Sequence, residues 1–148
     1  MKVQIVRLKH GKDLPLPRYQ TPGSAGMDLM AAVDEDFVLQ PGEFRAIPTG
    51  VAFSIPKGYK IDVRARSGLA AKYGIGMVNG VGTIDSDYRG ELMAILINYS
   101  KQPFTIHRGD RVAQAVLGCY ERMELEEVDE LDETERGSGA FGSTGIKP

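Results

Sequence analysis

The chain is short of soft metal-binding and redox side chains: one cysteine and two histidines in 148 residues. Cys119, in the run VLGCY, has no partner for an internal disulfide and reads as a buried, inert thiol. His10 and His107 are isolated, which leaves no transition-metal cluster to propose. Long apolar runs are lacking as well: none is long enough to span a bilayer, and Met1 leads straight into the strand-like KVQIVRL with no apolar signal core. A cytoplasmic protein with no membrane partner is the expectation. Helix signals are scarce, and no strand face interleaves aromatic with basic residues as a nucleic-acid stacking platform would, so no nucleic-acid partner is expected.

What is present is enough for one domain of 16.1 kDa, ordinary for a globular protein at 42% apolar and 26% charged residues. Its charge is unevenly spread. Residues 121–135 hold nine acids and one arginine, net −8; taken from the chain's −2, this leaves the other 133 residues at +6. The body is basic and its tail acidic, which suits an anionic partner or a dispersed solvated surface.

Short strands recur every eight to twelve residues with turn signals between them, and only one short helix is legible, at Ser67-Gly68-Leu69-Ala70-Ala71-Lys72 with Ser67 as N-cap. That spacing reads as an all-β sandwich or barrel. Gln40-Pro41-Gly42-Glu43 fits a type II turn, Arg108-Gly109-Asp110 marks another, and Asn79-Gly80 is the strongest hairpin signal. YKIDVRAR alternates, with Tyr59, Ile61, Val63 and Ala65 facing a core and Lys60, Asp62, Arg64 and Arg66 facing water. The expected organisation is a single domain over 1–148, a β core over 1–120 followed by an extended arm over 121–148.

Several residues have both a plain and a chemical reading. Asp28 is either an exposed strand acid or a carboxylate held beside a Gly-Ser-Ala-Gly turn. Arg66 and the helix start after it form either an ordinary cap or an anion site. Gln114 shares a strand face with Val112 and Val116, and a buried glutamine bonds either internal backbone or a ligand. The glycine-rich tail RGSGAFGSTGIKP is either disordered or able to fold over phosphates through backbone N–H groups and Arg136; it is no Walker A loop, since no Gly-Lys-Ser/Thr sits in place. The densest chemistry is GTIDSDYRGE, residues 82–91. Its plain reading is a turn capped by Asp85 and Asp87; its other reading is a catalytic carboxylate beside a rigid strand.

Five segments, AGMDL (25–29), ARSGLA (65–70), NGVGTIDSDYRGE (79–91), GDRVAQ (109–114) and RGSGAFGSTG (136–145), together resemble the motifs of the trimeric deoxyuridine triphosphate nucleotidohydrolases, the dUTPases, in family order. Met27, Ala65, Thr83 and Ala140 depart from the usual pattern without removing a chemical group. The resemblance implies a distorted jelly-roll (β-clip) homotrimer with active sites shared between subunits, hydrolysing dUTP to dUMP and pyrophosphate with Mg²⁺. This reaction would supply dUMP for thymidylate synthesis and keep uracil out of DNA. By the same analogy Asp85 activates the water that attacks the α-phosphorus. Tyr88 lies under the deoxyribose and excludes a 2′-hydroxyl, while Asn79 and Gly82 belong to the hairpin that reads uracil. Arg66, Ser67, Gly68 and Gln114 contact phosphates, and Asp28 bonds water around Mg²⁺. From the tail, Arg136 meets the γ-phosphate, Phe141 stacks on uracil, and Gly142 and Ser143 complete the cover. Two rivals remain: a dCTP deaminase, which shares the fold and part of the phosphate site, and a non-enzymatic jelly-roll module. Tyr88 after Asp87 and the RGSGAFGSTG tail are the features that resemble dUTPases.

Overall fold

Period-two alternation builds most of the molecule. In the computed structural model, which describes residues 1–141, ten strands run β1 (Gln4–Arg7), β2 (Gly26–Met30), β3 (Phe37–Leu39), β4 (Phe44–Ser54), β5 (Tyr59–Ala65), β6 (Ile75–Met77), β7 (Val81–Ile84), β8 (Glu91–Asn98), β9 (Phe104–Ile106) and β10 (Arg111–Cys119). A 3₁₀ turn occupies Lys9–Gly11, and α1 spans Ser67–Tyr73. All pairings are antiparallel. One sheet has the order β1-β4-β8-β6, a second β2-β10-β5-β7, and β3 pairs with β9 alone. This is the all-β jelly-roll architecture that the resemblance implied.

β8 shows the patterning cleanly: Leu92, Ala94, Leu96 and Asn98 are buried and alternate with half-buried residues. Ile47, Leu92, Ala94 and Leu96 from the first sheet meet Leu29, Val63, Ala113 and Ala115 from the second in one core. At roughly 25 cal/mol per Å² of apolar surface removed from water, this interlayer is the main stabilising contribution. Asn98, fully buried, is tolerated because its amide donates to Leu39 O and Gln102 O while its Oδ1 accepts from the Ser100 amide and hydroxyl.

Turn chemistry follows expectation at two sites. Gly42 has φ +78° and the Glu43 amide donates to Gln40 O; Gly109 has φ +84° and the Asp110 amide donates to His107 O. Elsewhere long-range geometry overrides the local signal. Asn79-Gly80 does form a tight reversal, with the Gly80 amide on Met77 O and the Val81 amide on Asn79 O. The flanking strands do not pair with each other, however: β6 joins β8 and β7 joins β5, so the turn carries the chain from one sheet to the other. Ser67 is not the N-cap of α1. Arg66, extended at φ −89° and ψ 127°, takes that position without a side-chain cap bond, and Ser67 becomes the first helical residue. Asp62 does not face water: it is 5% exposed, bonded by Arg64 Nη2 at 2.7 Å with Lys60 Nζ 2.8 Å from its other oxygen. These two cations hold its carboxyl below the usual carboxylate range. A register shift between Arg111 and Ala113 breaks the alternation of β10, so Val112 and Ala113 are both buried. Cys119 ends that strand and is exposed, not buried.

From Tyr120 onward the described residues contain no strand or helix. Met123, Leu125 and Leu131 are each at least 84% exposed, so the arm offers its apolar side chains to nothing within its own chain.

Candidate active site

Strand register assembles one group of predicted residues. Asp28 on β2 stands opposite Gln114 on β10, which stands opposite Arg64 on β5. Arg66 follows the end of β5 and turns back across the sheet. Its Nε donates to Asp28 Oδ1 at 2.9 Å and its Nη1 to Arg111 O at 2.9 Å. Arg111 Nη1 reaches Asp28 Oδ2 at 3.3 Å, and Gln114 Nε2 donates to Ala65 O at 3.0 Å. Asp28 therefore holds two guanidinium groups and leaves the cluster with a net positive charge. A guanidinium has five N–H donors; Arg66 commits two of its groups inward and leaves the rest uncommitted among the described residues. Gly26, the second glycine residue in GSAGM, lies under this cluster: a Cβ there would come within 2.7 Å of Gln114 Oε1. Ser67 and Gly68 follow Arg66 at the start of α1, both exposed. A cavity of about 450 Å³ lies elsewhere, against β1; beside this cluster is one of about 410 Å³, lined by Arg66, Arg111, His107, Tyr73 and Phe104 among others.

The second group belongs to β7 and the loop after it. Gly82 faces Val63 in the register, and a Cβ on it would touch Val63 and the Asn79 amide. Asp85 follows Ile84, which stands opposite Ile61, while Arg66 lies five residues beyond Ile61 along β5. Asp85 lies one residue further, level with Lys60, so at about 3.3 Å per residue roughly 20 Å of strand separate it from Arg66. The cavity beside Arg66 includes neither Asp85 nor Tyr88. One chain thus brings together Asp28, Arg66, Ser67, Gly68 and Gln114; the β5–β7 register sets the Asn79 and Gly82 end of β7 alongside Arg64 and Val63, toward Arg66, and leaves Asp85 and Tyr88 at the other end.

Within the loop the expected capping by aspartate is missing. The turn closes through the Tyr88 amide on Asp85 O at 3.2 Å, and Arg89 Nη1 clamps the carbonyls of Ser86 at 2.7 Å and Tyr88 at 2.9 Å. Neither Asp85 nor Asp87 accepts a side-chain hydrogen bond among the described residues, and both are exposed. Asp87 does not shape the turn through its carboxylate. The Tyr88 hydroxyl donates to Glu91 O at 3.1 Å, and the ring sits over Gly90, where a Cβ would overlap that hydroxyl.

In the tail, Arg136 Nε donates to Gly139 O at 3.0 Å, and the Gly137 amide meets both Thr134 oxygens at 3.1 Å. The left-handed backbone falls on Gly137 and on Phe141 at φ +50°; Ala140, the departure from the usual glycine, is spared it. Phe141 is fully exposed. Gly142 and Ser143 lie outside the described residues.

Among the described residues no three of His, Cys, Asp and Glu converge as a metal cage. The chain's fit to the Mg²⁺ implied by the resemblance is narrower. Asp28 has one guanidinium contact on each oxygen and a lone pair left on each, which suits accepting a hydrogen bond from metal-bound water but not direct ligation.

Arg111, Arg108, His10 and Glu91 make contacts that their local sequence does not signal. Arg111 sits inside GDRVAQ, so its motif was visible, but its contact with Asp28 depends on the β2–β10 register. Arg108 bonds both oxygens of Asp13, together with His10 O and Val33 O, across long sequence separations that no local pattern encodes.

The dUTPase family model matches residues 12–145. Deoxyuridine 5′-triphosphate nucleotidohydrolase of Neorickettsia sennetsu is 52% identical over 144 residues, covering 97% of each chain. That of Anaplasma marginale is 54% identical over 145 residues, covering 98% of this chain and 99% of the other. Among solved structures, the Staphylococcus bacteriophage 80alpha dUTPase with dUpNHpp superposes with a TM-score of 0.84 at 29% identity, covering 98% of this chain and 99% of that one. A mutant dUTPase of phage phi11 of S. aureus, described for its coordination of a structural Mg(II) ion, has a TM-score of 0.77 at 27% identity, covering 88% and 98%. The chain belongs to the dUTPase family.

Proposed function

We propose that this chain hydrolyses dUTP to dUMP and pyrophosphate in a homotrimer whose active sites draw on more than one subunit. The observation that carries the reading is the family match over residues 12–145, which spans all five motifs. A triphosphate needs its charge neutralised and its phosphorus aligned more than it needs covalent catalysis. Arg66, oriented by Asp28, and Gln114, whose amide also donates to Ala65 O, supply donors at one end of the second sheet. Ser67 and Gly68 add the hydroxyl and exposed amides at the start of α1.

Asp85, solvated and without a competing donor, accepts the proton of the water that attacks the α-phosphorus; such general-base help is worth roughly 10²–10⁴ in rate. Tyr88 underlies the deoxyribose, and the Asn79–Gly82 segment meets the base. The tail, with Arg136 toward the γ-phosphate and Phe141, Gly142 and Ser143 over the nucleotide, excludes water on closing. Mg²⁺, held mainly by phosphate oxygens and water, would neutralise charge on the triphosphate, with Asp28 in its outer sphere. A single chain separates Asp85 from Arg66, which supports a site completed by a second copy.

The reading is tested by pyrophosphate release from dUTP, dTTP, dCTP and UTP with Mg²⁺. Turnover of dUTP alone is expected. Conversion of dCTP to dUTP or dUMP would reassign the chain to a deaminase, and no turnover of any nucleotide would favour a binding module.

A further inference from the structure

β4 carries an irregularity between Pro48 and Ala52, where its register with β8 shifts. Three residues, Thr49 to Val51, stand against the single β8 residue Leu92 there, and bonds to the start of β8 hold two of them. Thr49 Oγ1 donates to Leu92 O at 2.6 Å, and the Gly50 amide donates to Glu91 Oε1 at 2.6 Å. His10 Nε2 lies 2.8 Å from the same carboxylate oxygen. The 3₁₀ turn carrying His10 is pressed against the bulge so closely that a Cβ on Gly11 or on Gly50 would come within 2.6 Å of the other's backbone. Arg108 pins the turn from behind through His10 O, at 2.5 Å, and Asp13.

The other end of residue 91 meets the candidate site. Its backbone carbonyl accepts the Tyr88 hydroxyl. No other side-chain hydrogen bond holds the Tyr88 ring among the described residues, and the intervening Gly90 has no side chain to constrain it. We infer that Glu91, anchored by the Gly50 amide and His10, is a positioning residue that fixes the Tyr88 ring and thereby sets discrimination against a ribonucleotide. This rests on the reading of Tyr88 as the sugar contact. Glu91 touches no substrate; it acts by holding the carbonyl on which the tyrosine is hung, and misplacement of a positioned group by about 1 Å can cost as much as 10²-fold.

The test compares kcat/KM for dUTP and UTP in the full-length protein and its variants. Glu91→Ala should lower the dUTP/UTP ratio by about tenfold or more. Glu91→Gln, whose amide oxygen can still accept the Gly50 N–H, should hold the ratio within about threefold, whereas Glu91→Met, of similar volume but without that acceptor, should lower it as Glu91→Ala does. His10→Ala, which removes one of two anchors, should lower the ratio by a few-fold, and it serves in place of Glu91→Ala if that variant does not fold. A folded Glu91→Ala or His10→Ala protein with the wild-type ratio overturns the inference, provided that Tyr88→Ala lowers it. If Tyr88→Ala also leaves the ratio unchanged, the sugar-contact reading itself falls, and the inference with it.

Discussion

At the end of the second sheet, Asp28, Arg66, Arg111 and Gln114 are locked by four side-chain hydrogen bonds, to one another and to adjoining backbone. At the far end of β7, Asp85 and Asp87 accept none among the described residues, and their loop is held by a backbone turn and the Arg89 clamp. The difference follows from what each region would have to do. Groups that receive a highly charged ligand gain from being aligned before it arrives, because ordering them afterwards costs affinity. A carboxylate that must take up a proton gains from unshared lone pairs and from being fixed by its backbone alone. Asp85 and Arg66 also stand roughly 20 Å apart along the sheet, and the single chain does not bring them together.

This comparison can be broken at several points. The largest effect is expected at Asp85. Asp85→Asn should lower turnover by about 10²–10⁴ while nucleotide affinity stays within about tenfold, since proton acceptance contributes to the transition state and not to ground-state binding. Single-turnover rates beside a binding titration separate the two, and a variant retaining most of its rate would remove Asp85 from the mechanism.

Deleting residues 136–148 should cost at least about tenfold in rate and leave a folded oligomer, because the described part of that tail contributes no buried side chain to the core. Activity together with size-exclusion chromatography decides this, and a fully active truncation would dismiss the tail as a cover. Gly26→Ala should have a smaller, localised effect. Its methyl group would displace Gln114 Oε1, the flexible end of a side chain, so KM should rise several-fold with little change in Tm. A large loss of stability instead would show that Gly26 serves the fold.

The smallest effect concerns an exposed pair at the rim of the cavity beside Arg66. Asp36 raises the pKa of His107 by accepting its hydrogen bond at 2.6 Å, and His107 lowers that of Asp36. A raised histidine pKa gives stability that is complete below the ordinary value of 6.5 and lost as pH rises through the folded value; a lowered aspartate pKa gives stability that is complete above 3.8 and lost as pH falls through its folded value. The contribution is therefore greatest between those two values. The Tm difference between wild type and His107→Gln should shrink as pH rises from roughly 6 to 9, as thermal melts across that range would show.

Local chemistry made much of this legible. Gly42 and Gly109 adopt the positive φ that their turns demand, and the strands of β5 and β8 follow from alternation. The departures share one cause, which is that strand partners are chosen at long range. Asn79-Gly80 reads as a hairpin because both residues favour the turn, yet β8 and β5 claim the strands on either side. Asp62 reads as wet from its position in the alternation, but Lys60 and Arg64 close over it. Arg111 and Glu91 carry no local mark of their contacts, since Asp28 and His10 are 83 and 81 residues away. The five motifs were readable as segments; the division that sets Asp85 apart from Arg66 was not, because it depends on the register of β5 with β7.

The most direct test of that division mixes two disabled proteins. Asp85→Asn and Arg66→Ala chains, co-refolded in equal amounts, should each be nearly inactive alone. If Asp85 of one copy serves Arg66 of another, random assembly gives about a quarter of the sites both intact residues, and about a quarter of the wild-type rate returns. Mixed oligomers that form but show no more activity than either parent would contradict a site shared between chains.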